Sequence, residues 1–113
     1  MKSKILALSK NEEFKALLGK KKLSNKYVTI FFGLLGNKDN KKLNISFVTK
    51  KKIGNAVKRN KIKRRLRNII NDLVKKISVN FNYSYLVIAK PTMLNNEYTN
   101  IKEILFQSFK KIK

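Results

Sequence analysis

The sequence predicts an α+β domain, in the order helix, hairpin, long helix, strand, helix. Three observations carry that prediction. Apolar residues recur at helical spacing in three separate stretches. Two stretches alternate in the manner of strands. One run, Tyr83–Lys90, is apolar on both faces and stops at Pro91, as expected of a central strand covered on both sides. With 113 residues and 42% hydrophobic side chains there is material for one modest core, so residues 1–113 are expected to form a single domain with a mostly antiparallel sheet.

Met1–Leu8 is a basic lead-in, and its apolar run Ile5–Leu8 is too short for a signal-peptide core. Ser9 is the expected cap of the first helix, with Glu12 as its capping-box partner and Glu12 and Glu13 at the positive end of the helix dipole. Phe14, Leu17 and Leu18 form one stripe, and Gly19 is the stop. Lys20–Lys22 reads as a solvated linker or a phosphate contact. In Tyr27–Leu35, Val28, Ile30, Phe32 and Leu34 share one face, while Tyr27, Thr29 and Phe31 share the other. The turn formers Gly36–Asn40 then lead to Leu43–Thr49, whose Leu43, Ile45 and Phe47 lie on one side. The two strands read as an antiparallel hairpin.

Gly54 separates this pair from the long helix, and Asn55 is its N-cap. Ile62, Leu66, Ile69, Ile70, Leu73, Val74 and Ile77 keep a helical period, so residues 55–77 should span about 35 Å. The polar Ser78–Asn82 loop precedes the central strand. Asn95 or Asn96 is the expected cap of a last helix carrying Tyr98, Ile101, Leu105, Phe109 and Ile112 on one face, with Lys110, Lys111 and Lys113 at its negative end.

The charge is +22, from 28 Lys and Arg against 6 Asp and Glu. Self-repulsion of that size calls for a counter-charge in the working state, and nucleic acid is the first candidate, ahead of an anionic membrane surface. The charge peaks in Lys50–Arg67, which holds ten basic residues, no acidic one and all four arginines. Lysine supplies positive charge everywhere else in the chain. Arginine differs from it by offering a planar fork of donors that fits phosphates and base edges. On the helix, Asn60, Arg64, Arg67 and Asn71 fall at i, i+4, i+7 and i+11 as one polar stripe, bordered by Lys63. Arg59 lies near the apolar azimuth, in first turns expected to project beyond the core. Lys51, Lys52 and the free amides of Gly54–Val57 meet at the helix N-terminus, where phosphate is favoured. Among the aromatics, Phe14, Tyr27, Phe31 and Phe32 are candidates for base stacking, and Phe31 faces away from the Val28–Ile30–Phe32 side.

The residues exclude most chemistry. There is no histidine to serve as general base or metal ligand and no cysteine for disulfides or thiolate sites. The six carboxylates, Glu12, Glu13, Asp39, Asp72, Glu97 and Glu103, show neither metal-ligand nor paired acid–base spacing. No glycine-rich phosphate loop and no membrane-length apolar run occurs. A cytoplasmic protein with no membrane association is expected, and no feature marks a protein partner.

The run Lys51–Arg67, KKIGNAVKRNKIKRRLR, resembles the signature of the bacterial ribonuclease P protein subunit. That signature is a Lys-Lys-Val/Ile-Gly-Asn-Ala-Val run followed by Arg-Asn-Arg-x-Lys-Arg. Asn11–Phe14 is similar to the family's first-helix start, and Ile88–Pro91 to its last-strand ending. The family's Arg-Asn-Arg triplet stands here as Arg59-Asn60-Lys61, which keeps the charge and loses the bidentate fork, so Lys61 is discounted as a specific contact. The resemblance implies an αβββαβα sandwich with a four-stranded mixed sheet, an extra short strand near Leu23–Lys26 and a left-handed β-α-β crossover, against the general right-handed preference.

The resemblance also implies a protein that binds a catalytic RNA and the 5′ leader of precursor tRNA, assisting endonucleolytic removal of that leader. Catalysis and Mg2+ would belong to the RNA and substrate, with no catalytic residue on the protein. The RNA-binding set it implies is Lys51, Lys52, Asn55, Lys58, Arg59, Asn60, Lys63, Arg64 and Arg67. The implied leader cleft holds Phe14, Leu18 and Phe31, with Leu18 limited to apolar contact. Two other classes share the composition. A ribosomal protein would bind ribosomal RNA without stimulating precursor cleavage. A DNA-binding protein would need a dimer seam or helix-turn-helix, and neither is visible.

Overall fold

The computed structural model describes residues 5–6, 11–35 and 42–112. The expected Ser9 cap and the Gly36–Asn40 turn lie outside these. The elements are β1 (Ile5–Leu6), α1 (Asn11–Leu18), β2 (Lys21–Ser24), β3 (Val28–Leu34), β4 (Leu43–Val48), α2 (Ala56–Lys76), β5 (Tyr83–Ala89) and α3 (Tyr98–Lys111). Short 3₁₀ turns at Lys51–Ile53 and Pro91–Asn95 precede α2 and α3.

One mixed sheet runs in the order β1-β4-β5-β3-β2. β5 pairs antiparallel with β3 and parallel with β4, so β3 and β4 are not the expected hairpin. The reason is that β5 is apolar on both faces. Such a strand is stable only between two neighbours and under cover on both sides, and it takes the place between β3 and β4. Nor is the sheet mostly antiparallel: β1–β4 and β4–β5 are parallel, and β2–β3 and β3–β5 antiparallel. The extra strand falls at Lys21–Ser24, slightly before its expected place, and absorbs Lys21 and Lys22, which are therefore not linker. β1 adds a two-residue fifth strand at the far edge.

The two faces of the sheet are covered unequally. The larger core joins Val28, Ile30 and Phe32 of β3, Leu43 and Ile45 of β4 and Tyr85, Val87 and Ala89 of β5 to Ile62, Leu66, Ile69, Ile70 and Leu73 of α2 and Ile101, Leu105 and Phe109 of α3. On the other face α1 inserts the fully buried Leu17 against Leu86, with Phe14, Phe31, Val48 and Ile88 around them. The short α1 therefore packs on the sheet face opposite α2 and α3.

Long-range polar contacts close the α3 side. Asn25 accepts from the amides of Tyr27 and Val28 at 2.8 and 2.9 Å and donates to Ser108 Oγ of α3 at 2.8 Å. The Lys90 ammonium donates to Ser24 Oγ at 2.9 Å and to the Asn25 carbonyl. These ties explain why the last helix is not capped as expected. Asn96 accepts from Tyr27 Oη and donates to the Thr92 carbonyl, so Glu97 stands at the N-cap, making no side-chain capping bond.

Candidate nucleic-acid interface

α2 begins where the sequence places it. Asn55 has extended backbone, and its Oδ1 accepts from the Lys58 amide at 3.0 Å. Arg59 N–H makes the first helical bond, to Asn55 O, which leaves the Ala56 and Val57 amides without an intrahelical acceptor. The entry is held from behind by buried Ile53, in a 3₁₀ turn whose Lys51 and Lys52 are exposed. Gly54 has φ 154°, and a Cβ there would come within 2.9 Å of the Lys58 side chain. That backbone belongs to glycine. The charged end of the helix is thus a defined entry built on a buried isoleucine, a glycine and a cap.

The stripe is as expected over its first three members, whereas Asn71 at its far end is half-buried. Asn60, Arg64 and Arg67 are exposed, and Lys63 beside them is half-buried. None of the four arginines makes an ion pair with a described residue. Asn55 divides its carboxamide: the oxygen serves the cap, and the amide nitrogen makes no hydrogen bond to a described residue. Arg59 departs from expectation. It does not project clear of the core, because it is half-buried and its Nε is buried without an acceptor among the described residues. Lys58 is exposed and turns to a different side of the helix from the stripe. Val57, 76% exposed, is an apolar side chain at the phosphate-favouring end that the sequence reading passed over.

The second predicted set lies on the opposite side of the sheet. Phe14 and Phe31 are half-buried around Leu17 and Leu86, and Leu18 is 50% exposed at the rim. β2 adds what the sequence did not reveal. Lys22 pairs with Phe31 across the ladder and so shares its face. The Lys20 side chain lies over Gly33, where a Cβ would come within 2.8 Å of it. Two lysines therefore border the aromatic patch, a pairing of charge and ring faces suited to single-stranded nucleic acid. The face continues through buried Asn44, Ser46 and Ser84, reached by the Asn44–Ser84 and Ser46–Leu86 pairs of the ladder. Tyr27 and Phe32 do not join this site, because both are buried in the larger core.

Asp72 is engaged within the fold, away from both surfaces. Asp72 bridges Lys76 at 3.1 Å and Lys102 of α3. Its hydrogen bonds to Lys102 and then Lys76 hold its carboxyl below the usual range, and the same contact raises Lys102. Among the described residues no group of three or more His, Cys, Asp or Glu side chains is placed to hold a metal ion. No helix among them is long and apolar enough to cross a membrane.

A basic, arginine-striped helix on one side of a mixed sheet and an aromatic patch on the other is also the combination the sequence signature implies. A family model described as Ribonuclease P matches residues 3–113. This chain belongs to the ribonuclease P protein family. The Ribonuclease P protein component of Mesoplasma florum is 35% identical over 105 residues, covering 92% of each chain. That of Carboxydothermus hydrogenoformans is 33% identical over 110 residues, covering 94% of this chain and 90% of the relative. Among solved structures, the RNase P protein of Staphylococcus aureus superposes with a TM-score of 0.80 at 25% identity, covering 95% of this chain and 94% of that one. The RNase P protein of Thermotoga maritima gives 0.79 at 24% identity, covering 96% and 98%.

Proposed function

We propose that the chain is the protein subunit of a ribonuclease P holoenzyme, acting in the cytoplasm. It binds the catalytic RNA subunit through the N-terminal half of α2 and the 5′ leader of precursor tRNA in the cleft beside α1. Lys51, Lys52, Asn55, Lys58, Arg59, Asn60, Lys63, Arg64 and Arg67 serve the first surface, and Phe14, Leu18 and Phe31 the second. The RNA subunit and the substrate hold Mg2+ and carry out the endonucleolytic step that frees the mature 5′ end. The protein's part is electrostatic and positional: its cations screen repulsion between two RNAs, and the cleft retains the leader, so substrate affinity and effective Mg2+ binding rise.

The observation that carries this reading is the exposed Asn60–Arg64–Arg67 stripe without a carboxylate partner among the described residues, on a helix anchored by Ile62, Leu66, Ile69, Ile70 and Leu73. Uncompensated guanidinium groups on a rigid support favour a polyanion of fixed shape. Reconstitution tests it. Added to a bacterial ribonuclease P RNA at low Mg2+, the protein should stimulate 5′ cleavage of a precursor tRNA. Tight binding to ribosomal RNA with no stimulation of cleavage would replace this reading with the ribosomal one.

A further inference from the structure

The helix that carries the outward stripe has a second basic flank. Lys58, Lys61 and Arg65 are spaced i, i+3 and i+7, roughly 120° around α2 from Asn60, Arg64 and Arg67 at about 100° per residue. These three cations line one groove, of about 190 Å³, with Ile62 of α2 and Met93, Leu94 and Asn95 of the 3₁₀ turn before α3. No carboxylate among the described residues lines it. Arg65 is half-buried there and has no ion-pair partner among the described residues. Asn95, displaced from capping by Glu97, is exposed, and its side chain makes no hydrogen bond to a described residue.

We propose that this groove is a second RNA subsite, which takes a backbone segment of the catalytic RNA separate from the segment on the Asn60–Arg64–Arg67 stripe. The inference rests on the RNA-binding reading of α2 and adds to it. The groove's chemistry matches one nucleotide. Arg65 and Lys61 meet a phosphate, with Lys58 toward the helix N-terminus. The Asn95 carboxamide offers a donor and an acceptor to a sugar or base edge, and Met93, Leu94 and Ile62 supply an apolar wall. A half-buried guanidinium without a counter-ion is costly in the free protein, and a phosphate relieves it. Two strands on flanks so far apart would hold the first turns of α2 from both sides. Lys61 then has a role as a point charge in this groove, although it lacks the fork needed for the stripe.

Hydroxyl-radical footprinting of a bacterial ribonuclease P RNA with the full chain tests the proposal. Wild type, Arg65→Gln, Arg65→Lys, Asn95→Ala and Arg64→Gln are compared, with thermal melts to confirm folding. Arg65→Gln should lose protection at a set of backbone positions that Arg64→Gln retains. It should also lower the slope of log affinity against log salt by about 0.7–0.9, the share of one phosphate. Arg65→Lys should restore the slope, and Asn95→Ala should weaken protection at those positions with the slope unchanged. If Arg65→Gln does not fold, Lys61→Gln, at an exposed position in the groove, takes its place. An unchanged footprint, or loss of the same positions as Arg64→Gln, would overturn the second subsite while leaving the stripe intact. No protection by the wild type would overturn the RNA-binding reading and this one with it.

Discussion

The two halves of α2 use charge in opposite ways. In the N-terminal half, Lys58, Arg59, Lys61, Lys63, Arg64, Arg65 and Arg67 crowd together with no carboxylate among them. In the C-terminal half, Lys76 is paired with Asp72, and Asp72 reaches across to Lys102 of α3. Both halves bury an apolar stripe on the same sheet, so the difference is not one of packing. Charge that has found a partner inside the chain ties helices together, whereas charge left without one is available to a ligand. Variants of the first half should therefore act mainly on RNA affinity, and variants of the second mainly on stability.

The largest effect is expected from Leu73, which is fully buried between α2 and the sheet. Leu73→Ala should lower unfolding free energy by about 2–5 kcal/mol in urea titrations, with unchanged RNA affinity wherever the variant is still folded. A direct loss of affinity in folded protein would blur the division. Gly54→Ala comes next, at about 1–3 kcal/mol, because of its positive φ and the adjacent Lys58 side chain. Unlike Leu73→Ala, it should also weaken RNA binding in the folded state, by disturbing the entry to α2.

On the other sheet face, Phe31→Ala should cost about 1–3 kcal/mol in affinity for a leader-bearing precursor tRNA, the scale of one lost base stack, with a smaller loss for mature tRNA. Equal losses for both substrates would make Phe31 a packing residue only. The smallest effect belongs to Asp72→Asn. The depressed Asp72 carboxyl stabilises the fold above its ordinary pKa, and that contribution is lost as pH falls through the lowered folded value. The raised Lys102 ammonium stabilises below its ordinary pKa and loses that as pH rises through the raised value. Melting scans should thus show a slightly lower Tm for Asp72→Asn between about pH 4 and 10, converging with wild type at both extremes. RNA affinity should be unaltered.

What was legible in the sequence was local. The limits of α2 follow from the Asn55 cap and an unbroken apolar period, and both are properties of neighbouring residues. The Asn60–Arg64–Arg67 stripe was legible for the same reason: helical spacing alone sets which side chains share a face. Strand pairing was not legible, because it joins residues far apart in the chain. The two-sided apolarity of Tyr83–Ala89 was a usable signal that something must flank it on each side, and it outweighs the tendency of consecutive strands to pair. The Lys22–Phe31 juxtaposition at the cleft and the Arg65–Asn95 groove each needed two elements brought together by the fold. The misplaced α3 cap has the same origin, since Asn96 is bound by Tyr27, 69 residues away.

The contrast between the halves of α2 is tested most directly by removing two cations from each. Arg64→Ala/Arg67→Ala and Lys75→Ala/Lys76→Ala lose the same net charge. Binding to a bacterial ribonuclease P RNA would be measured across a salt series. The arginine pair should weaken binding and lower the salt slope by about 1.5, the share of two phosphate contacts, while the lysine pair leaves the slope near that of wild type. Equal slopes for the two double variants would contradict the account, because the charge of α2 would then act as a diffuse field and not as a directed surface.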